Sequence, residues 1–166
     1  MNKIVIRFCC FFCLLIVSVS CIRRTDDDFF PTSQYKAVVM SRENFENAVG
    51  TFAPQNITKS GKIYIFDNFL FISEVNDGFH VFNYQDPTNP IPVKYIKAPG
   101  ATDLAIRNGV LYINQATDLI TLKYNEQTLS FDLMHRNENV FPQKIAPDGF
   151  EQQIGANEII VNWTQK

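Results

Sequence analysis

Apolar residues fall into distinct rhythms along this chain. From Phe8 to Val19 they are almost unbroken, and Arg23 and Arg24 close the stretch. It is shorter than the roughly 20 apolar residues a membrane-spanning helix needs. Ser41-Arg42-Glu43-Asn44-Phe45-Glu46-Asn47-Ala48-Val49 reads instead as one short helix. Ser41 can cap its amides, Glu43 sits in the first turn where the helix dipole favours an acid, and Gly50 stops it.

From Gly61 onward the pattern is that of strands. Lys62 to Phe66, Phe69 to Glu74, Phe79 to Tyr84 and Pro92 to Ala98 are short runs rich in Ile, Val, Phe and Tyr. Turn residues separate them: Asp67-Asn68, Asn76-Asp77-Gly78 and Asp86-Pro87-Thr88-Asn89-Pro90. A second set covers Thr102 to Arg107, Val110 to Asn114, Leu119 to Tyr124 and Leu129 to Met134, with a hairpin signal at Asn108-Gly109. A loop-rich stretch from Arg136 to Asn157 precedes one more strand-like segment, Glu158 to Trp163.

The two sets resemble each other. Leu70-Phe71-Ile72-Ser73 matches Leu111-Tyr112-Ile113-Asn114, and Phe79-His80-Val81-Phe82-Asn83-Tyr84 matches Leu119-Ile120-Thr121-Leu122-Lys123-Tyr124. A spacing near 40 residues with four short strands per unit suits a propeller blade. Ile63-Tyr64-Ile65-Phe66 and Phe69-Leu70-Phe71-Ile72 are apolar at every position, which predicts burial on both faces. The expected fold class is therefore all-β: about two four-stranded antiparallel propeller-like blades with one short N-terminal helix, an incomplete propeller. A closed propeller needs at least about four blades. Two alone would expose apolar faces and strand edges. Closure by oligomerisation, a compact half-propeller capped by the helix and the 136–157 loop, and a truncated remnant all stay open.

The N-terminus adds an address. Lys3 and Arg7 precede the apolar run, and small residues end it at Ser18-Val19-Ser20-Cys21, the layout of a secretory signal. Val17-Ser18-Val19-Ser20-Cys21 resembles a bacterial lipobox, with Ser18 where Leu is commonest. The resemblance implies cleavage between Ser20 and Cys21 and a lipid on the Cys21 thiol. Each buried CH₂ of such a lipid contributes roughly 0.8 kcal/mol, and two chains anchor stably. All four cysteines, Cys9, Cys10, Cys13 and Cys21, lie at or before this point. A processed chain therefore has no disulfide, thiolate metal site or cysteine nucleophile further along. The plainer alternative is a cleaved signal with Cys21 as an ordinary residue. Arg23-Arg24-Thr25-Asp26-Asp27-Asp28 resembles the surface-export signal of some Gram-negative lipoproteins, and implies an outer-membrane protein facing the cell exterior; a solvated tether is the simpler reading. Residues 1–20 are then the signal peptide, 21–35 the tether and 36–166 the β-repeat domain.

Asp86, Pro87, Asn89 and Pro90, between two strands, resemble the signature turn of the LVIVD-repeat family. Met40-Ser41-Arg42-Glu43, Gly61-Lys62-Ile63-Tyr64, Pro99-Gly100-Ala101-Thr102-Asp103-Leu104-Ala105 and Asn139-Val140-Phe141-Pro142 also resemble bacterial lipoproteins carrying that repeat, in the same order along about 36–163. The resemblance implies stacked β-propeller blades and a binding or interaction role, with a protein or glycan as partner. Relatives of this kind carry more repeats than this chain supplies.

Composition and chemistry narrow the function. Without residues 1–20, Lys3 and Arg7 are lost, and the formal charge falls from −2 to −4. No basic footprint for nucleic acid is present. The two histidines, His80 and His135, lack metal-pair spacing. No nucleophile elbow, phosphate loop, dinucleotide fingerprint or calcium loop occurs. The acidic candidates are Glu74, Asp77, Asp103 and Asp118. Asp77 falls in a turn, where Asp bonds nearby amides, and Asp118 is expected in the corresponding turn of the second set. A glycosidase pair such as Glu74 with Asp103 needs only a suitable separation. Among the many aromatics, core packing is the ordinary role and a sugar platform the alternative; Trp163, near the terminus, is the aromatic set apart by its place. The expectation is a membrane-anchored, non-catalytic binding module without catalytic residues, metal or cofactor, with self-association open. A carbohydrate-active enzyme or a degenerate structural member are the alternatives.

Overall fold

The computed structural model describes residues 32–125 and 127–166. The leader, Ser20, Cys21 and the Asp26–Asp28 cluster lie outside them. Residues 33–166 cluster as one unit.

The helix, α1, spans Arg42–Asn47. Ser41, in extended conformation, accepts a hydrogen bond from the Asn44 amide at 3.3 Å, and Glu43 lies in the first turn. The helix ends at Asn47, earlier than the expected Val49, because Gly50 already belongs to a strand. Phe45 is its buried residue.

The described residues also form eleven strands: β1 Tyr35–Ser41, β2 Gly50–Phe52, β3 Ser60–Phe66, β4 Phe69–Glu74, β5 Gly78–Asn83, β6 Ile91–Lys97, β7 Ala101–Arg107, β8 Val110–Gln115, β9 Asp118–Asn125, β10 Ser130–Asn137 and β11 Glu158–Gln165. They form antiparallel sheets in the orders β2-β6-β5-β4-β3 and β10-β9-β8-β7, with a two-stranded ribbon β1-β11. Two expectations are corrected here. The first sheet has five strands rather than four, because Gly50-Thr51-Phe52 pairs with Lys97, Ile96 and Tyr95. A three-residue strand shows no periodicity to detect. The residues assigned to the tether reach the fold as well: Ser33 and Gln34 bond Asp148, and Tyr35 opens β1.

The two large sheets are copies of one plan. Each has hairpins in the same places, and each carries a register irregularity at the same two points. Val81 pairs with Lys94 but Phe82 with Pro92, which leaves Val93 as the extra residue. Thr121 pairs with His135 but Leu122 with Leu133, which leaves Met134 in the equivalent place. The first hairpin pair is likewise irregular between Ser60 and Ile63 and between Ala101 and Asp103. Bulges re-aim a strand and add twist, so repeating them repeats the shape of the unit. The two sets are offset by 41 residues at Leu70 and Leu111 but by 40 at Phe79 and Leu119, and the change has a physical cause. Glu74 and Gly78 flank a turn of Val75, Asn76 and Asp77, whereas Gln115 and Asp118 flank only Ala116 and Thr117. Asp118 is thus not the turn counterpart of Asp77. It takes the place of Gly78 at the start of the third strand.

The sheets stack face to face. Phe66, Phe69, Phe71, Phe79, Val81 and Ile96 of the first meet Leu104, Leu111, Ile113, Ile120, Leu122 and Phe131 of the second. Edge-to-face contacts run through this layer, with Phe69 and Phe71 against Phe131 at 6.0 and 5.8 Å. Such pairs contribute about 0.5–1.5 kcal/mol each beyond the area they bury. Thr51 joins the sheet edges, accepting from the Phe131 amide at 2.9 Å and donating to its carbonyl at 3.0 Å. At the other edge Lys62 and Tyr64 reach Asp103 at 2.8 and 2.6 Å.

Register also fixes the outer faces. On the first sheet one row runs Ile63, Ile72, His80, Tyr95, Phe52 and the next Ile65, Leu70, Phe82, Pro92. On the second, the rows run Ala105, Tyr112, Thr121, His135 and Arg107, Val110, Lys123, Asp132. Burial of the continuous apolar strands on both faces is therefore realised only in part. Ile63 is 63% exposed and Ile65 57%.

The ribbon and helix close one end. Phe45, Ile159, Val161 and Ala116 form a second small core with Met40 against it. The helix thus covers the turn end of the sheets, at Ala116.

Candidate binding groove

Three polar constellations stand out, and two of them are structural. Glu74 is buried and accepts from Thr58 Oγ1 at 2.6 Å, from the Thr58 amide at 3.0 Å and from the Lys59 amide at 2.5 Å; His80 Nε2 lies 2.9 Å away. Burial alone would raise its pKa, but these hydrogen bonds outweigh it and hold the carboxyl at about 2. Glu74 ties the 53–59 loop to β4. His80 is buried against Tyr95, whose hydroxyl donates to Asp77.

Asp118 is fully buried with Arg42 at 2.6 Å and Arg136 at 2.7 Å, and it accepts from the Asn139 amide at 3.2 Å. Burial opposes its charge and these donors restore it, leaving its pKa below the usual carboxylate range. Both guanidiniums lie over the Phe45 ring, at 5.6 and 5.2 Å. The group pins α1 and β10 to the β8–β9 turn. The two repeats use one device here. Tyr95 and Arg136 occupy equivalent places on the fourth strands, and each reaches back to an aspartate near the second hairpin.

The third constellation is open. A groove of about 540 Å³ lies at the same end, between the ribbon, the β4–β5 turn and the 138–157 loop. Tyr35 and Trp163 come from paired ribbon strands, Asn162 from β11, Asn76 from the turn, Thr102 from β7 and Lys144 from the loop. Asn76 donates to Asn162 at 2.8 Å, and Lys144 Nζ donates to Asn76 Oδ1 and to the Val161 carbonyl at 3.3 Å. Burial pushes the Lys144 ammonium down to about 8. Among the described residues no carboxylate lies within ion-pair distance of it. The groove therefore offers an ammonium, amides and two aromatic rings together, a set that suits a polar ligand with an apolar face.

A smaller opening of about 320 Å³ lies between the sheets at the opposite end, lined by Phe66, Phe69, Phe71, Leu111, Tyr124 and Phe131. Its rings pack on each other, Phe69 on Tyr124 at 5.1 Å, so it is the end of the core.

The residues singled out in the sequence are placed as follows. Asp86 accepts from the Thr88 amide and hydroxyl at 3.0 and 2.7 Å, and its carbonyl from the Asn89 amide at 3.1 Å. Those bonds, the Thr88 hydroxyl first, lower its pKa. Pro87 and Pro90 complete an exposed turn between β5 and β6. Glu74 and Asp103 occupy different clusters: Asp103 is an exposed sheet-edge residue, its pKa lowered by Lys62 and Tyr64. His135 is exposed beside Asn137. Trp163 does line the groove. Lys144 and Asn76 were missed, because a lysine in a loop carries no sign of burial. Among the described residues there is no cluster of metal-binding side chains and no helix long and apolar enough to cross a membrane.

Comparison with known proteins gives no match to any family model, curated protein or solved structure.

Proposed function

We propose that this chain is a lipid-anchored bacterial lipoprotein of the outer membrane, displayed outward, whose repeat domain is a non-catalytic binding module of LVIVD type. The two large sheets are then propeller-like blades in a partial ring. The leader with Ser20-Cys21 supports the anchor, the repeated bulged units support the blade reading, and the Tyr35–Trp163 groove supports a ligand, protein or glycan.

The observation that carries the non-catalytic part is the state of the acids. Among the described residues, Glu74, Asp86, Asp103, Asp118, Asp132 and Asp148 are the carboxyls whose pKa departs from the ordinary value, and every one is lowered. A glycosidase holds one carboxyl protonated, with its pKa raised, to protonate the leaving group. Glu74 and Asp103 are instead held as carboxylates by structural partners.

Membrane fractionation tests the anchor. Cys21→Ala should move the protein from carbonate-washed membranes to the soluble fraction. Retention of that variant would contradict the lipid anchor. Protease treatment of intact cells should remove the wild-type domain if it faces outward. Trp163 fluorescence against a panel of oligosaccharides reads the groove, and Trp163→Ala with Lys144→Ala should abolish whatever response is seen. Turnover of any panel member, lost in Asp103→Ala, would overturn the non-catalytic reading.

A further inference from the structure

Resting on the reading of the Tyr35–Trp163 groove as a binding site, we infer that its ligand is a carboxylate-bearing sugar, a uronic or sialic acid unit of an acidic glycan. The carboxylate meets Lys144 and the ring meets Tyr35 and Trp163. Charge comes first. Lys59 and Lys144 both line the groove, and among the described residues that line it there is no Asp or Glu. The chain as a whole has a formal charge of −2, so this local excess runs against its balance. Lys59 is exposed, whereas Lys144 is half-buried. An ammonium has three protons to donate. Asn76 Oδ1 and the Val161 carbonyl take two from Lys144, and neither acceptor is charged. A cation drawn from water without an anion bears the cost of an ion pair without its gain. An incoming carboxylate on the third proton completes the pair.

Hydrogen-bond polarity points the same way. Asn76 Oδ1 accepts from Lys144, and Asn76 Nδ2 donates to Asn162 Oδ1 at 2.8 Å. Asn162 Oδ1 also accepts from the Trp163 amide at 2.8 Å. The side-chain amide oxygens of the wall are thus engaged from within. What remains are donors: the third Lys144 proton, Asn162 Nδ2 and the Lys59 ammonium, with the Tyr35 and Thr102 hydroxyls able to serve either way. The Trp163 indole N–H is a further donor, buried without an acceptor among the described residues. Such a wall suits a ligand rich in acceptors, and a carboxylate accepts without donating.

The rings select a sugar over an acidic peptide. Tyr35 pairs with Gln165 and Ala37 with Trp163, so Tyr35 and Trp163 are diagonal neighbours on one face of the β1–β11 ribbon, about 7–8 Å apart. Two rings at that spacing offer a platform for the apolar face of a pyranose. An extended peptide is held instead by main-chain pairing along a strand edge, and the ribbon meets the groove with its face.

Lys144 also makes the site pH-dependent. Burial pushes its ammonium down to about 8. The other titratable groups at the groove are Tyr35 from β1 and Lys59 from the 53–59 loop. Of the acids adjoining its wall, Asp77 accepts from Tyr95, and Asp148 from Ser33 and Gln34. Glu151 lines a separate cleft with Lys144, beyond ion-pair distance. A bound carboxylate favours the ammonium, so affinity is full well below pH 8 and falls as pH rises through it.

Trp163 is the one tryptophan of the chain, so its fluorescence in the purified full chain reads the groove. Tri-galacturonic acid and sialyllactose are titrated beside the methyl ester of the first, lactose for the second, and a hexaglutamate peptide. At least one acidic sugar should bind about tenfold or more tightly than its neutral counterpart. Its affinity should fall between pH 7 and 9, a readout that needs no substitution. Lys144→Gln should bring the acidic sugar to the level of the neutral one, and Lys59→Gln, at an exposed position, should weaken it by a smaller factor. Equal binding of acidic and neutral sugars, an affinity flat across pH 8, or a hexaglutamate peptide that binds as tightly as either acid would overturn the inference while leaving the groove a binding site. Silence of both acidic sugars up to about 10 mM would overturn it as well, and silence across the whole oligosaccharide panel would take the binding reading with it.

Discussion

The β3–β6 unit and the β7–β10 unit share hairpins, bulges and strand order, yet their outward faces are opposites. Position 71 is Phe and 1% exposed; its counterpart, position 112, is Tyr and 36% exposed. The first sheet is largely apolar on both sides, and its outer face shows Ile63 and Ile65 to solvent while Leu70, His80 and Tyr95 on that face are buried. The second alternates, with its apolar side in the core and its charged side out. Backbone plan and face chemistry are thus separable. The plan is set by turns and bulges, whereas the face depends on whether a neighbour exists to cover it. The second unit ends the stack with a charged face, whereas the first keeps part of its outer face under the chain, where Thr58 and Lys59 bond Glu74.

Paired substitutions sharpen this contrast. Phe71→Ala should cost about 3–5 kcal/mol in urea unfolding, as a buried aromatic truncated among Phe69, Phe79 and Phe131. Tyr112→Ala, at the equivalent place, should cost about 1 kcal/mol or less. Equal costs would mean that the two faces are not exchanged between units.

The second-hairpin devices differ next. Asp118→Ala leaves Arg42 and Arg136 without their shared partner and should destabilise by about 3 kcal/mol. At the equivalent Gly78 the requirement is reversed. A Cβ there would lie 2.0 Å from the Ile96 carbonyl oxygen, so Gly78→Ala must push β6 aside. Both variants should lower the unfolding midpoint, the first by loss of a partner and the second by a clash.

Glu74 predicts a pH signature that belongs to the first unit. Its folded pKa of about 2 lies below the ordinary 4.5, so its contribution is complete above pH 4.5. It is lost as pH falls from there through about 2. Glu74→Gln should remove about 2 kcal/mol at neutral pH and flatten the acid slope in that window. An unchanged slope would show that other carboxyls govern acid unfolding.

The smallest expected effect is at the hairpin turns. Asn108 and Gly109 both adopt positive φ, 52° and 73°, the geometry of a two-residue turn that matches strand twist. Gly109→Ala meets no neighbour within 4 Å but carries the backbone penalty, about 1 kcal/mol.

Much of this architecture was legible in the sequence, for reasons that explain the omissions. Asn108-Gly109 and Asn76-Asp77-Gly78 mark hairpins because Asn, and Gly with no Cβ, tolerate the positive φ that such turns need. The repeat was visible because Leu70-Phe71-Ile72 and Leu111-Tyr112-Ile113 keep the same order. What was not legible was pairing between distant short segments. Gly50-Thr51-Phe52 has no periodicity, and Tyr35–Ser41 becomes a strand only because Glu158–Gln165 returns beside it. A run of apolar residues states that both sides of a strand are apolar, but not that both are covered; Ile63 and Ile65 show the difference. The groove was half visible. Trp163 drew notice as an aromatic near the terminus, whereas the burial of Lys144 arises from a loop fold with no local signal.

The most direct test of the exchanged faces is the urea midpoint of Phe71→Glu beside that of Tyr112→Glu. Position 71 is 1% exposed and position 112 is 36% exposed, so a carboxylate at 71 must be buried without a partner while one at 112 reaches water. The first variant should lose most of its folded stability and the second should unfold near the unsubstituted chain. Equal losses at the two positions would contradict the account.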